Sequence, residues 1–315
     1  MASMSRGPQV TLLVACSNTK TSKIEPALQA RYLQSESLEG RVEEWTTRLA
    51  DTKTSTSAAR DLYAGDHWAT MKNLVEDLRP NQSISLKVLS AGYGLVDSET
   101  PIKPYSASFT PRSADLVAPG HVSAKWWALV NDSPHLGSEP RTIRGIATDV
   151  PESVFVIVAS EHYLRAVAPD LQLAAERLNS PTQILIFSAG SPMNRELDAH
   201  MLRFDSRLRR LVGGSNVSLN ARVASHVLRT TPPEALNHAS ISVKLDRISA
   251  NLAPIEQSVR KTLTDGEVLE FISEELVASP STSATRSLRN LRDRGFACEQ
   301  SRFHELFRKA IDATD

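Results

Sequence analysis

The chain has 315 residues, 41% apolar and 23% charged, a globular composition that argues against extended disorder. Its 36 basic side chains balance 36 acidic ones, so attraction to a polyanion has to come from local patches. The length suits one large domain followed by a small one.

In chain order, Val10 to Ala15 (VTLLVA) predicts a buried strand, and Cys16-Ser17-Asn18-Thr19-Lys20 a polar turn at its carboxyl end. Residues 25–51 read as helix, 53–57 as a polar linker and 62–78 as a second helix. Ile84 to Leu89 predicts another strand, feeding the loop Ser90-Ala91-Gly92-Tyr93-Gly94-Leu95. Val154 to Val158 runs into Ala159-Ser160-Glu161-His162-Tyr163, and Ile184 to Phe187 into Ser188-Ala189-Gly190. Residues 209–229 hold a Gly213-Gly214 turn and then a helix that Ser218 is placed to cap. Strands alternating with helical stretches predict an α/β fold, a mostly parallel sheet with flanking helices.

Thr230-Thr231-Pro232-Pro233 is a linker signal, after which the texture changes. Residues 264–278, 283–294 and 299–310 read as short helices broken by Ser279-Pro280-Ser281 and Arg294-Gly295-Phe296, a helix-turn-helix-like pattern. The expected domains are therefore residues 1–232, α/β, and 233–315, a basic helical module. Residues 286–309 carry seven Lys/Arg against three Asp/Glu. Arg286, Arg289 and Arg292 occupy neighbouring positions of one helical face, with Arg294 just beyond, while Leu288 and Leu291 form a separate apolar stripe. Such a face is either simply solvated or contacts phosphates; the expected partner is double-stranded DNA.

Chemistry concentrates in the loops that follow strands. In a parallel sheet, residues 16–20, 90–105 and 160–163 converge on the edge where open α/β sheets bind ligands. Ser17, Ser90 and Gly94 let a ligand approach backbone N–H groups, and Lys20 can neutralise a phosphate. The eight histidines show no ligand-like spacing, and the two cysteines, Cys16 and Cys298, form neither a disulfide pattern nor a zinc site. No metal and no cofactor are expected. No apolar run approaches the roughly 20 residues that span a bilayer, and Met1 to Gln9 lacks a secretion pattern. The expected location is cytoplasmic, without membrane association.

The order Cys16-Ser17-x-x-Lys20, Leu62-Tyr63-x-Gly65, Leu89-Ser90-x-x-Tyr93-Gly94-Leu95, Ile102-x-Pro104-Tyr105 and Ala159-Ser160-x-x-Tyr163 resembles the YaaA-like superfamily. Its founding members are DNA-binding proteins associated with peroxide stress. A branch found with phage and antiphage DNA-modification genes is similar in having Asp at the position of Asp97 and an acid near Glu99. That branch looks related to domains that exchange or alter deazaguanine-type bases. Some similar antiphage proteins are DNA glycosylases that remove hypermodified cytosines. The founding members typically carry Pro-Ala where Cys16-Ser17 stand and lack the C-terminal helices, so the phage-associated branch is the better guide. The resemblance implies a glycosylase that flips and excises a modified base in antiviral defence. A base-exchange transglycosylase, a non-catalytic DNA-binding stress protein and an enzyme of free nucleotides are the alternatives.

Breaking an N-glycosidic bond builds positive charge on the sugar, which calls for a carboxylate. Asp97 is the first choice, from the most motif-like loop, with Glu161 and Asp61 behind it; Asp97 is as well suited to capping a turn, and Glu161 to complementing a helix dipole. The expected base and sugar pocket comprises Cys16, Ser17, Tyr63, Ser90, Tyr93, Gly94 and Tyr105. Tyr93 and Tyr105 either stack on an extruded base or pack half-buried, and Cys16 reads more simply as a small buried hydrophobe.

Overall fold

A computed structural model describes residues 8–137, 141–189, 197–253 and 261–312. It divides into two compact units, Met1–Ala253 and Pro254–Asp315. The expected boundary at 232/233 thus moves about one helix downstream. The reason is apolar spacing: Ile241 and Leu245, one turn apart on the helix His238–Ala250, are fully buried in the core of the first unit.

In the first unit, β1 (Val10–Ala15) leads through two single 3-10 turns to α1 (Leu38–Asp51). Residues 25–51 were expected as one helix. The backbone is instead extended at Gln29 and Leu33, and α1 starts only where the Ser37 side chain accepts from the Gly40 N–H. Next come β2 (Ser57–Ala58), α2 (Ala59–Leu62) and α3 (Asp66–Leu78). The single helix expected over 62–78 is broken by Gly65, whose φ of +92° suits glycine alone. The chain continues through β3 (Ile84–Ser90), β4 (Gly94–Asp97), β5 (Pro101–Ile102), α4 (Ser123–Asn131) and α5 (Ile143–Asp149). It then forms β6 (Val154–Val158), α6 (Glu161–Ala175), β7 (Ile184–Phe187) and β8 (Met201–Leu202). Gly190, expected to end the turn after β7, lies outside the described residues. The unit closes with α7 (Arg209–Val212), α8 (Leu219–Arg229) and α9 (His238–Ala250). Ser218 precedes α8 but does not cap it; its hydroxyl donates to the Ser215 carbonyl instead.

The main sheet has the order β4-β3-β1-β6-β7-β8 and is parallel except for the β3–β4 hairpin. Every residue of β1, β6 and β7 is buried, so both faces of the sheet's centre are covered and the strands read as continuous apolar runs. Helices α3 and α8 pack together and reach β3, β6 and β7, while α1, α4, α5 and α6 form the other helical group. From β1 the chain first builds outward to β3, then returns to add β6 on β1's other side. The strand order therefore reverses between β1 and β6, the place where such sheets open a crevice beyond their carboxyl ends.

The second unit contains β9 (Lys261–Thr262), α10 (Asp265–Ala278), α11 (Ala284–Asp293), β10 (Phe296–Ala297) and α12 (Gln300–Asp312). Thr264 and Glu267 form a reciprocal capping box that starts α10, and Ser283 caps α11. Leu288 and Leu291 of α11 join Phe271, Ile272, Phe303 and Phe307 in a separate core, the stripe expected from their spacing. No helix among the described residues is long and apolar enough to cross a membrane.

Candidate functional site

At the carboxyl edge of β1 and β3 a set of hydroxyl groups is wired together. The Ser90 Oγ accepts from the backbone N–H of Gly92 (3.2 Å) and Tyr93 (2.9 Å) and lies 2.5 Å from the Tyr105 hydroxyl. With both lone pairs of Ser90 occupied, its proton is left for Tyr105. The Tyr105 hydroxyl in turn lies 2.9 Å from that of Tyr63. The turn is held from behind by two indoles: Trp45 donates to the Gly92 carbonyl (2.7 Å) and Trp126 to that of Ala91 (2.8 Å). Gly94 belongs to this packing rather than to ligand approach. Its φ is +72°, a Cβ there would collide with the Asn131 side-chain amide, and Asn131 accepts from the Leu95 N–H.

Lys20 lies over these rings. Its backbone bridges Tyr63, and its Nζ sits 4.6 Å from the Tyr105 ring centre and 5.3 Å from that of Tyr63, donating to the Ser17 carbonyl at 2.5 Å. Burial lowers its pKa and outweighs the opposing pull of Cys16 and Asp115. Across the reversal between β1 and β6, the Cys16 thiol meets the Tyr163 hydroxyl at 3.2 Å. Burial drives the Tyr63, Tyr105 and Tyr163 hydroxyls well above their ordinary pKa and Tyr93 up to about 12.

The expected residues divide sharply. Cys16, Ser17, Lys20, Tyr63, Ser90, Tyr93 and Tyr105 gather at this edge, as the loops' convergence required. Base stacking on Tyr105 is overturned: the ring is 0% exposed, enclosed edge-on by Trp45, Tyr63 and Tyr93. Tyr93 is likewise buried, its hydroxyl accepting from the Lys103 N–H at 3.0 Å.

Asp97 is not in this cluster. It ends β4 opposite Lys87, three residues back from the Ser90–Gly94 turn pair, roughly 10 Å along the strand. There it binds the Lys87 amine at 2.5 Å and lines a separate cleft of about 360 Å³ with Thr100, Arg141 and Asp149. Burial pushes its pKa up, but Lys87 and the Glu99 N–H overcome that and hold the carboxyl below its ordinary value. The miss has a physical cause: the loop expected after Ser90 is a tight hairpin, and the antiparallel return carries Asp97 away from the edge.

Asp61 is exposed and paired with Lys72 at 2.6 Å. Glu161 opens α6 at the carboxyl end of β6, on the exposed rim of the reversal point, 3.1 Å from Arg165. It is the one expected carboxylate on that rim.

Three features escaped the sequence reading. Asp115, buried, takes a two-pronged bond from Arg31 (2.9 and 2.5 Å) and one from Ser106 (2.7 Å), pinning the loop that carries Tyr105. Asn220 of α8 donates to the Ala159 carbonyl and accepts from the Ala189 N–H, tying together the ends of β6 and β7. His67, in the first turn of α3, is held by the Ala15 carbonyl; burial lowers its pKa, and among the described residues its Nε2 has no partner. None had a local signal. Tyr163 did, within Ala159-Ser160-x-x-Tyr163.

In the second unit, Arg286 and Arg289 are exposed and form no ion pair among the described residues. Arg292 and Arg294 are engaged internally: Arg292 donates to the Cys298 carbonyl at 3.1 Å, and Arg294 pairs with Glu275 at 3.0 Å above the Phe271 ring. The expected stripe of DNA-facing arginines is thus narrower than its spacing implied. Among the described residues, no cluster of three or more His, Cys, Asp or Glu is placed to hold a metal ion. No protein-family model matches the chain, and no curated protein matches it.

Proposed function

We propose that the chain is a DNA glycosylase that excises a modified base and leaves an abasic site, with antiviral defence as the setting. The observation that carries this reading is the convergence of residues of the YaaA-like resemblance on one sheet edge: Ser90, Tyr105 and Tyr63 joined by their hydroxyls, Lys20 over the two rings, and Tyr163 against Cys16 across the strand-order reversal. Protonated hydroxyls, a lysine amine and a rim carboxylate are the groups that cleavage of a glycosidic bond uses. As the C1′–N bond breaks, its electron pair leaves with the base. The positive charge left at C1′ falls to Glu161, in place of Asp97, and water then adds there. In this reading Lys20 would meet the sugar-phosphate of an extruded nucleotide.

The second unit would supply affinity as a helix-turn-helix-like module, with Arg286 and Arg289 of α11 on phosphates. The test is incubation with phage DNAs of differing base chemistry, followed by alkaline cleavage and mass spectrometry of small products. Release of a free modified base with matching strand breaks is expected. Binding without any released base from every DNA would leave a non-catalytic DNA-binding protein.

A further inference from the structure

Lys20 has fewer partners than the other lysines whose partners are seen. Lys72, Lys87, Lys125 and Lys261 each face a carboxylate, Lys103 bonds two backbone carbonyls and Lys244 a carbonyl and two hydroxyls, whereas Lys20 forms no ion pair among the described residues. Among the described residues its amine bonds one backbone carbonyl, that of Ser17, above a floor of two tyrosine rings. The main chain beneath it is fixed on both sides: Thr21 N–H donates to the Leu62 carbonyl and Ala64 N–H to the Thr19 carbonyl. An amine spending one N–H on a carbonyl keeps its lone pair available once neutral, and removal from water favours that neutral form. A lysine meant only to hold phosphate gains nothing from desolvation, because it needs the charge.

We infer that Lys20 is a nucleophile for an aldehyde, and that the protein carries a second activity, strand cleavage at abasic sites through a lysine imine. The inference rests on the glycosylase reading for its substrate, the ring-opened sugar left when the base departs. The neutral Nζ attacks the C1′ aldehyde, forming a C–N bond; the aldehyde oxygen leaves as water with both amine protons, giving the imine. Protonation of the imine nitrogen acidifies C2′. Loss of a C2′ proton expels the 3′ phosphate with the C3′–O electron pair. Hydrolysis of the imine returns the lysine, and no oxidant or reductant is consumed.

The experiment gives the full-length protein a duplex with one preformed abasic site, adds sodium borohydride and looks for a covalent protein–DNA complex by denaturing gel and peptide mapping. Base release from modified phage DNA is scored in parallel. The wild type should be trapped, with the adduct on Lys20. Lys20→Arg, which keeps the charge but forms no such imine, should give no adduct at protein concentrations where a gel-shift shows the duplex to be bound. Lys20→Ala should also give none, and melting temperatures confirm that both variants fold. Absence of an adduct in the wild type under conditions where the duplex is bound overturns the inference, as does equal trapping of Lys20→Arg. Base release without trapping would sink this step while leaving the glycosylase reading intact. Trapping without base release from any modified DNA would do the reverse.

Discussion

At the carboxyl edge of the sheet, side chains from far apart in the sequence make buried polar contacts; Ser90, Tyr105 and Tyr63 are joined by their hydroxyls, and Cys16 and Tyr163, 147 residues apart, are in contact. Further back along β3, Lys87 and Asp97 are only ten residues apart and form a part-exposed ion pair on a hairpin. Both groups are polar, and each has one member on β3, Ser90 in the first and Lys87 in the second. The difference is solvent. In the first, burial raises the tyrosine pKa values and lowers that of Lys20, each against the charged form. In the second, the pair is only part-buried and Lys87 holds the Asp97 carboxyl charged against a partial desolvation. A carboxylate in a motif-like stretch is therefore a weaker pointer to chemistry than an amine the fold has desolvated.

The largest expected effect would break this comparison outright. Glu161→Gln should lower base release by at least about 10²-fold, the scale of losing one preorganised electrostatic contact, with DNA affinity unchanged. Asp97→Asn should leave turnover near wild type. Single-turnover rates check both, and the opposite pattern would return the chemistry to the hairpin. Stability gives the next contrast. Tyr105→Phe removes the hydroxyl joining Ser90 to Tyr63 and should cost about 1–3 kcal/mol in urea unfolding, because buried partners are left unpaired. Removing the Lys87–Asp97 pair should cost about 0–1 kcal/mol.

The acid side of the pH profile sharpens the point. Burial raises the Asp115 pKa, but its Arg31 and Ser106 bonds overcome this and hold it below the ordinary value. A depressed folded pKa contributes stability above the unfolded value, about 3.9, and that contribution is lost as pH falls through the folded pKa. Asp115→Asn should therefore start less stable at neutral pH and lose less on acidification below about pH 4, with up to about one proton fewer taken up on unfolding. An unchanged slope in melting temperature against pH would remove Asp115 from the linkage. The smallest effect tests the same exposed-versus-engaged distinction in the second unit. Arg286→Ala with Arg289→Ala should reduce the slope of log affinity against log salt by about 1.8, two phosphate contacts' worth. Arg292→Ala should lower stability through its lost bond to Cys298 and leave that slope alone.

Local patterning alone determined a good deal. The apolar runs of β1, β6 and β7 specified a mostly parallel sheet, because strands covered on both faces carry little else. The loops that follow those strands were legible as one edge for the same reason. In the second unit, the spacing of Leu288 and Leu291 marked the buried side of α11. What the sequence could not determine was which polar residues those elements would desolvate. Asp97 and Tyr105 sit in the same motif-like stretch, yet the hairpin carries one to a part-exposed ion pair while Trp45, Tyr63 and Tyr93 enclose the other. Arg286 and Arg292 share a helical face, yet only the turn after α11 decides that Arg292 is spent on a carbonyl. Ile241 and Leu245 lie beyond a proline-rich linker signal, but an apolar helix joins whichever core can bury it. Periodicity is written along the chain; burial of a polar group is decided by what arrives from elsewhere.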